Sequence, residues 1–315
     1  MHPLAVHSLS KHFQSFFGRL NPIPAFEKTA ASQHNTIRGL IEDRMGPAAE
    51  LAPITFLQGS YKQQTAIYTI NDVDIVVLCN LWYPGTPGGS GKSYGRDEIF
   101  RIIAAPLFAD GRYRDKVRFG PQSMCIKVDL GIKVEILPVV FKAGNVDSNA
   151  EPFVLYRPET GKWEDGFARY HQAWLTIKNA DNRTQGNFIP AIKVLKHIRS
   201  LFGLKSVSFH IECLLYFLDD AHFVGGPADY LAAIFRKIAA HKPEDWYGTR
   251  CMTPCGDRDI FTSAEWASAD WWKFHERISW CSTLAEGAIV TQRENQAIEW
   301  WQAILGKDYY PARVS

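Results

Sequence analysis

The hydrophobic rhythm of the chain changes near its middle. In the first half, 54–57 and 73–78 are short apolar, β-rich runs, while 124–130 and 132–140 alternate polar and apolar positions. Both patterns predict strands. Around them the apolar spacing is helical, at 8–20 (Leu9, Phe13, Phe16, Phe17, Leu20), at about 25–45 and at 96–108. Asn21-Pro22-Ile23-Pro24 separates the first two helices, since proline disfavours a helical residue before it. The second half predicts helices at 167–179, 188–202, 208–219, 228–240, 263–286 and 292–305. Residues 145–166 read as irregular, and a boundary between two lobes is expected there. The fold class expected is α+β, a mixed sheet followed by a helical lobe.

One strand carries chemistry. Asp72 and Asp74 are separated by one residue, so both carboxylates face one side while Val73, Ile75 and Val77 face a core. Side-by-side carboxylates repel and titrate as a pair, and a cation between them relieves the repulsion. Hard oxygen donors of this kind suit Mg²⁺, which shares its shell with water and substrate phosphates. Upstream, a short apolar run ends in Gly59-Ser60. Glycine lets backbone approach a ligand, and Ser60 would open a helix whose free N–H groups favour phosphate. The plainer reading is a turn glycine, a capping serine and two solvated aspartates on an edge strand.

The set Gly59-Ser60, Thr65 and Asp72-Val73-Asp74 resembles the signature of the polymerase-β-type nucleotidyltransferases. It is most similar to the branch containing cyclic GMP-AMP synthase, oligoadenylate synthetase and the bacterial CD-NTases. Lys133-Val134-Glu135-Ile136-Leu137-Pro138-Val139 is similar to that family's third-carboxylate strand, with Glu where Asp is more usual. Asp129 is the other acidic residue nearby, and the motif favours Glu135.

Two later pieces extend the resemblance. On the helix at 188–202, Phe188, Ala191, Ile192, Leu195, Ile198 and Phe202 form one stripe, with Lys193, Lys196 and His197 opposite. Read alone, the cations are a solvated face and Ser208 is an N-cap. In the family, a lysine on this helix and a serine opening the next hold the donor triphosphate. The resemblance implies Lys196 and Ser208 for those roles, Lys193 less directly, with Phe209 as a stacking face or a core residue.

What the resemblance implies can be stated whole. The nucleotidyltransferase core would span 1–160, including N-terminal spine helices, and the helical lobe 161–315, with the active site in the cleft between. Asp72, Asp74 and Glu135 would be the catalytic carboxylates and would hold two Mg²⁺, with Mn²⁺ an alternative. Gly59, Ser60, Lys193, Lys196 and Ser208 would bind the nucleotide. The substrates would be NTPs, and the product a cyclic di- or trinucleotide messenger with pyrophosphate released. That messenger would act on a separate effector during phage infection, and a regulatory or conjugating partner protein is compatible with the family. Two rival readings remain open: a template-free enzyme making linear products, and a nucleotide-binding scaffold without catalysis.

Composition narrows the picture further. The 315 residues have a formal net charge of +2, too little cation excess for a long nucleic-acid surface. Gly91-Lys92-Ser93 lies between a strand and a helix, as a phosphate loop would. Its first glycine, however, falls on Thr86 in a long, proline-interrupted stretch, so a surface loop is expected. The 6 cysteines are scattered, with a zinc site at Cys251, Cys255 and Cys281 as the exception to consider. Neither a secretory h-region nor a membrane-length apolar run is present, so the expected location is the cytoplasm.

Overall fold

The four predicted strands all form, and three more join them, making seven among the described residues. In the computed structural model, which describes residues 5–68, 70–83, 94–144 and 151–314, these are β1 (Ile54–Gln58), β2 (Asp72–Tyr83), β3 (Val117–Arg118), β4 (Ile126–Val128), β5 (Lys133–Lys142), β6 (Phe153–Arg157) and β7 (Lys162–Gly166). Their order is β1-β2-β5-β4-β3, with β6 pairing β5 and β7. Only the β2–β5 pair is parallel, so the sheet is mixed, as expected.

The sheet belongs to one compact unit, residues 22–64 and 69–172. Three helices accompany it: α2 (Pro24–Ile41), α3 (Gly59–Lys62) and α4 (Arg96–Ala109), the chain's first helix being α1 (Ser10–Leu20). Ile75, Val77, Cys79, Val134 and Ile136 meet Ile99, Phe100, Ile103 and Leu107 of α4 in one core. Val76, Leu78, Val139, Phe141 and Phe153 form a second cluster on the opposite face. α2 is tied to β1 by a polar clamp. The Glu42 carboxylate accepts from the Thr55 N–H (2.7 Å) and hydroxyl (2.6 Å), and Arg38 Nε donates to the same hydroxyl oxygen at 2.7 Å.

The stretch expected to be irregular contains a hairpin, β6–β7. Its strands are short, and β7 is mostly polar, so alternation barely registers. Pairing of Tyr156 with Trp163 and a turn at Gly161 (φ +66°) organise it instead. Because β6 also pairs β5, the contact boundary falls after the hairpin, at 172/173, whereas a break at 160/161 was expected.

The other unit comprises residues 1–21, 65–68 and 173–315. The boundary lies inside α5 (Ala168–Lys178). Then follow α6 (Asp181–Thr184), α7 (Phe188–Leu201), α8 (Ser208–Phe217), α9 (Pro227–Ala239), α10 (Pro243–Tyr247), α11 (Ser268–Val290) and α12 (Glu294–Leu305). α1, with Phe13 and Phe16 fully buried, packs in this unit's core. So does the 65–68 segment, where the Tyr68 N–H donates to Leu20 O at 2.7 Å. Among the described residues no helix is long and apolar enough to cross a membrane.

Candidate active site

Strand register assembles the acidic group. Parallel pairing sets Asp74 beside Glu135 and Asp72 beside Lys133. Paired residues in adjacent strands point to the same face, so Asp72, Asp74 and Glu135 share one side of the sheet. Val73, Ile75 and Val77, on the other side, are fully buried as expected. On the far side of β5, antiparallel β4 sets Lys127 beside Glu135.

β1 brings the glycine. Gln58 pairs with Asp74, which carries Gly59 against the Asp74 carboxylate. Gly59 has φ +72°, and a Cβ there would sit 1.9 Å from Asp74 Oδ2. Both facts demand glycine: the backbone is left-handed and the space is already filled. Ser60 follows in α3, which is a single turn. The macrodipole is a sum over aligned peptides, so one turn supplies far less of the anion-binding field expected here.

The carboxylates feel one another. Burial first, then the charges of Asp72 and Glu135, push the Asp74 carboxyl up to about 7. Glu135 is held from the side. Lys127 Nζ lies 3.1 Å from its Oε1, and Cys125 Sγ donates toward Oε2 at 3.5 Å. Burial and Glu135 push the Cys125 thiol up to about 12. Asp129 pairs with Arg118 at 2.9 Å, away from the group.

The helical unit holds the other predicted residues, and there the picture differs. Lys196 is 2% exposed. Its ammonium meets Glu212 Oε1 at 2.7 Å, Thr65 Oγ1 at 2.8 Å and Thr65 O at 3.4 Å. Thr65 donates in turn to Glu212 Oε1 at 3.1 Å. An ammonium has three donors, so none remains for a phosphate in this arrangement. His197 is fully buried as well, with Nε2 at 2.7 Å from Leu305 O and Nδ1 against the Tyr68 hydroxyl. The solvated cationic face expected on α7 is therefore absent at these two positions. α1, α8 and α12 all pack against α7, which buries Val194, Lys196 and His197 along with the apolar stripe.

Lys193 is half-buried, with Nζ donating to Asn21 Oδ1 at 2.8 Å. Ser208 is the first residue of α8, and Val207 occupies the cap position, so the N-cap reading does not hold. The Ser208 hydroxyl accepts from Arg199 Nη1 at 3.0 Å, and the same nitrogen reaches Ser206 O at 3.2 Å. Phe209 packs against the core with Arg258 over its ring at 5.2 Å.

No protein-family profile matches the chain. A curated relative, the cyclic UMP-AMP synthase of Rhodothermus marinus (strain SG0.5JP17-172), is 24% identical over 252 residues, covering 74% of this chain and 84% of the relative. The structure of Rhodothermus marinus CdnE c-UMP-AMP synthase with Apcpp and Upnpp superposes with TM-score 0.65 at 20% identity, over 85% of this chain and 95% of that one. The E. coli MS115-1 CdnC:HORMA-deltaN complex contains a chain matching with TM-score 0.69 at 14% identity, over 97% of this chain and 98% of that one. The chain has the CD-NTase fold. The resemblance read from the motifs and the α+β class are both borne out.

A CD-NTase fold raises the question of metal. Among the described residues no three His, Cys, Asp or Glu side chains are gathered closely enough to hold an ion. The donor chemistry nevertheless fits a hard divalent cation. Asp72, Asp74 and Glu135 are all carboxylates on one face, and Asp74 is strained toward protonation by the other two. Glu135 differs in being engaged by Lys127, a nearer cation. Cys251 and Cys281 are buried thiols, and Cys255 joins them in no metal-binding group. The Gly91-Lys92-Ser93 motif lies outside the described residues.

Sequence reasoning missed Lys127, Arg199 and Glu212. Lys127 carried the alternation signal of its strand but no register. Glu212 stood next to the Ser208 motif, but its partner is 16 residues away on another helix.

Proposed function

We propose that the chain is a metal-dependent nucleotidyltransferase that joins NTPs into a cyclic di- or trinucleotide and releases pyrophosphate. The observation that carries the reading is the acidic trio on one sheet face, closed on one side by Gly59 against Asp74. The similarity to a curated relative, a cyclic UMP-AMP synthase, supports cyclic over linear products.

Asp72, Asp74 and Glu135 would hold two Mg²⁺ or Mn²⁺. When bound, such ions activate a sugar hydroxyl and neutralise the donor triphosphate. The chain's own residues position the rest. Gly59, lacking a side chain, lets the backbone close against the Asp74 carboxylate. Ser208, whose hydroxyl accepts from Arg199, and Lys193 would bind the donor phosphates, as the motif resemblance implies. Lys196 acts through Glu212 and Thr65, holding α7, α8 and the 65–68 segment together. A messenger so made would act on an effector in anti-phage signalling, in the cytoplasm. The CdnC:HORMA-deltaN complex supports a regulatory partner as well.

Purified protein with all four NTPs and Mg²⁺ or Mn²⁺ should yield a phosphatase-resistant cyclic product by mass spectrometry, with pyrophosphate released. Asp72→Asn should abolish both. The hold of Lys127 on Glu135 favours one second reading, a nucleotide-binding scaffold. NTP binding without pyrophosphate release, in either metal, would establish that reading and sink the first.

A further inference from the structure

α11 has two faces with different content. Trp271, Phe274, Ile278 and Cys281 point into the core. Asp270, Lys273, Arg277 and Trp280, spaced by three, four and three residues, line the adjoining face, about 100° round the helix. Facing them is the turn after α7, where Gly203 takes φ +60° and Phe202 and Lys205 flank it. Between helix and turn lies a cavity of about 510 Å³. That size is within the range of small-molecule sites.

Three features set this cavity apart from an ordinary charged surface. First, the Arg277 guanidinium lies 4.0 Å from the Phe202 ring centroid and 4.9 Å from that of Trp280. Contact with two aromatic rings, themselves set edge-to-face at 77°, holds the guanidinium in place before any ligand arrives. Second, Asp270 and Glu276 stand three residues either side of Lys273, yet among the described residues Lys205, Lys273 and Arg277 close no ion pair within 4.0 Å. Third, Trp280 remains 38% exposed although Arg277 covers part of it.

We propose that this cavity binds a nucleotide. Arg277, Lys273 and Lys205 take its phosphate, and the exposed surface of Trp280 takes its base. A bidentate guanidinium suits phosphate geometry, and a tryptophan face accepts any base by stacking. None of the predicted catalytic or nucleotide-binding residues lines the cavity, so the site is separate from the catalytic reading and stands or falls without it.

The test is calorimetric titration of AMP into the full-length protein in EDTA, which removes metal from the carboxylates. Saturable binding is expected, unchanged in Asp72→Asn. Arg277→Ala should weaken it about tenfold or more, as loss of a charge-assisted contact does. Trp280→Leu should weaken it about fivefold or more through lost stacking. Adenosine and ribose 5-phosphate, each carrying half of the ligand, should each bind more weakly than AMP. Circular dichroism of both exposed-face variants checks that the fold is kept. Absence of saturable AMP binding below about 10 mM, or affinity unmoved by both variants, overturns the proposal.

Discussion

Two groups of charges in this molecule are organised in opposite ways. In the sheet unit, Asp72, Asp74 and Glu135 bring like charges onto one face, and burial first, then the two neighbouring charges, drive Asp74 up to about 7. In the helical unit, Lys196 and Glu212 bring opposite charges together at 2.7 Å, with Thr65 completing the shell. The first arrangement is unfavourable in isolation and is relieved by something the chain does not supply. The second is complete in itself. Like charges held together against their own repulsion therefore point to a working site, and a saturated opposite pair points to scaffolding.

The comparison breaks most sharply at Asp74. Asp74→Asn should cost nucleotidyl transfer on the order of 10⁴-fold in a pyrophosphate-release assay. It should also raise the melting temperature, because it removes a charge opposed by burial and by two carboxylates. A loss of both activity and stability would mean that the acidic group is structural. Gly59→Ala comes next. It combines a left-handed backbone with a 1.9 Å clash on Asp74 Oδ2, so about 3 kcal/mol of stability and about 10²-fold in activity should be lost, read by denaturant titration and the same assay.

On the other side of the comparison, Glu212→Ala should destabilise by about 3–5 kcal/mol, because it leaves a buried ammonium unpaired. The double change Lys196→Met with Glu212→Leu should recover most of that stability in thermal melts. If the double variant is stable but inactive, Lys196 contacts substrate and the scaffolding assignment fails. The smallest effect belongs to Lys127→Met. Its pair with Glu135 is substantially exposed and worth under about 1 kcal/mol, so the Mg²⁺ concentration for half-maximal activity should fall by about threefold at most.

The carboxylate site was more legible than the phosphate side, for a physical reason. Asp72 and Asp74 lie on one short strand, so their shared face follows from backbone pleating alone. Gly59-Ser60 directly follows the neighbouring strand β1, and the antiparallel pairing of β1 with β2 brings it beside Asp74. Lys196 was misplaced on a solvated face because helical periodicity identifies one apolar stripe but not how many neighbours surround the helix. The β6–β7 hairpin was missed because its short, polar strands gain their order from pairing and not from alternation.

The sequence by itself determined most of the element types and the direction in which the paired aspartates point, both consequences of local backbone geometry. Only the tertiary structure decided that Glu135 stands beside Asp74 with Lys127 on its other flank. It alone decided that Lys196 turns inward to Glu212, and that Arg277 lies against both Phe202 and Trp280. These outcomes depend on strand register and helix packing between distant segments, and burial in low dielectric then sets what each charge can do.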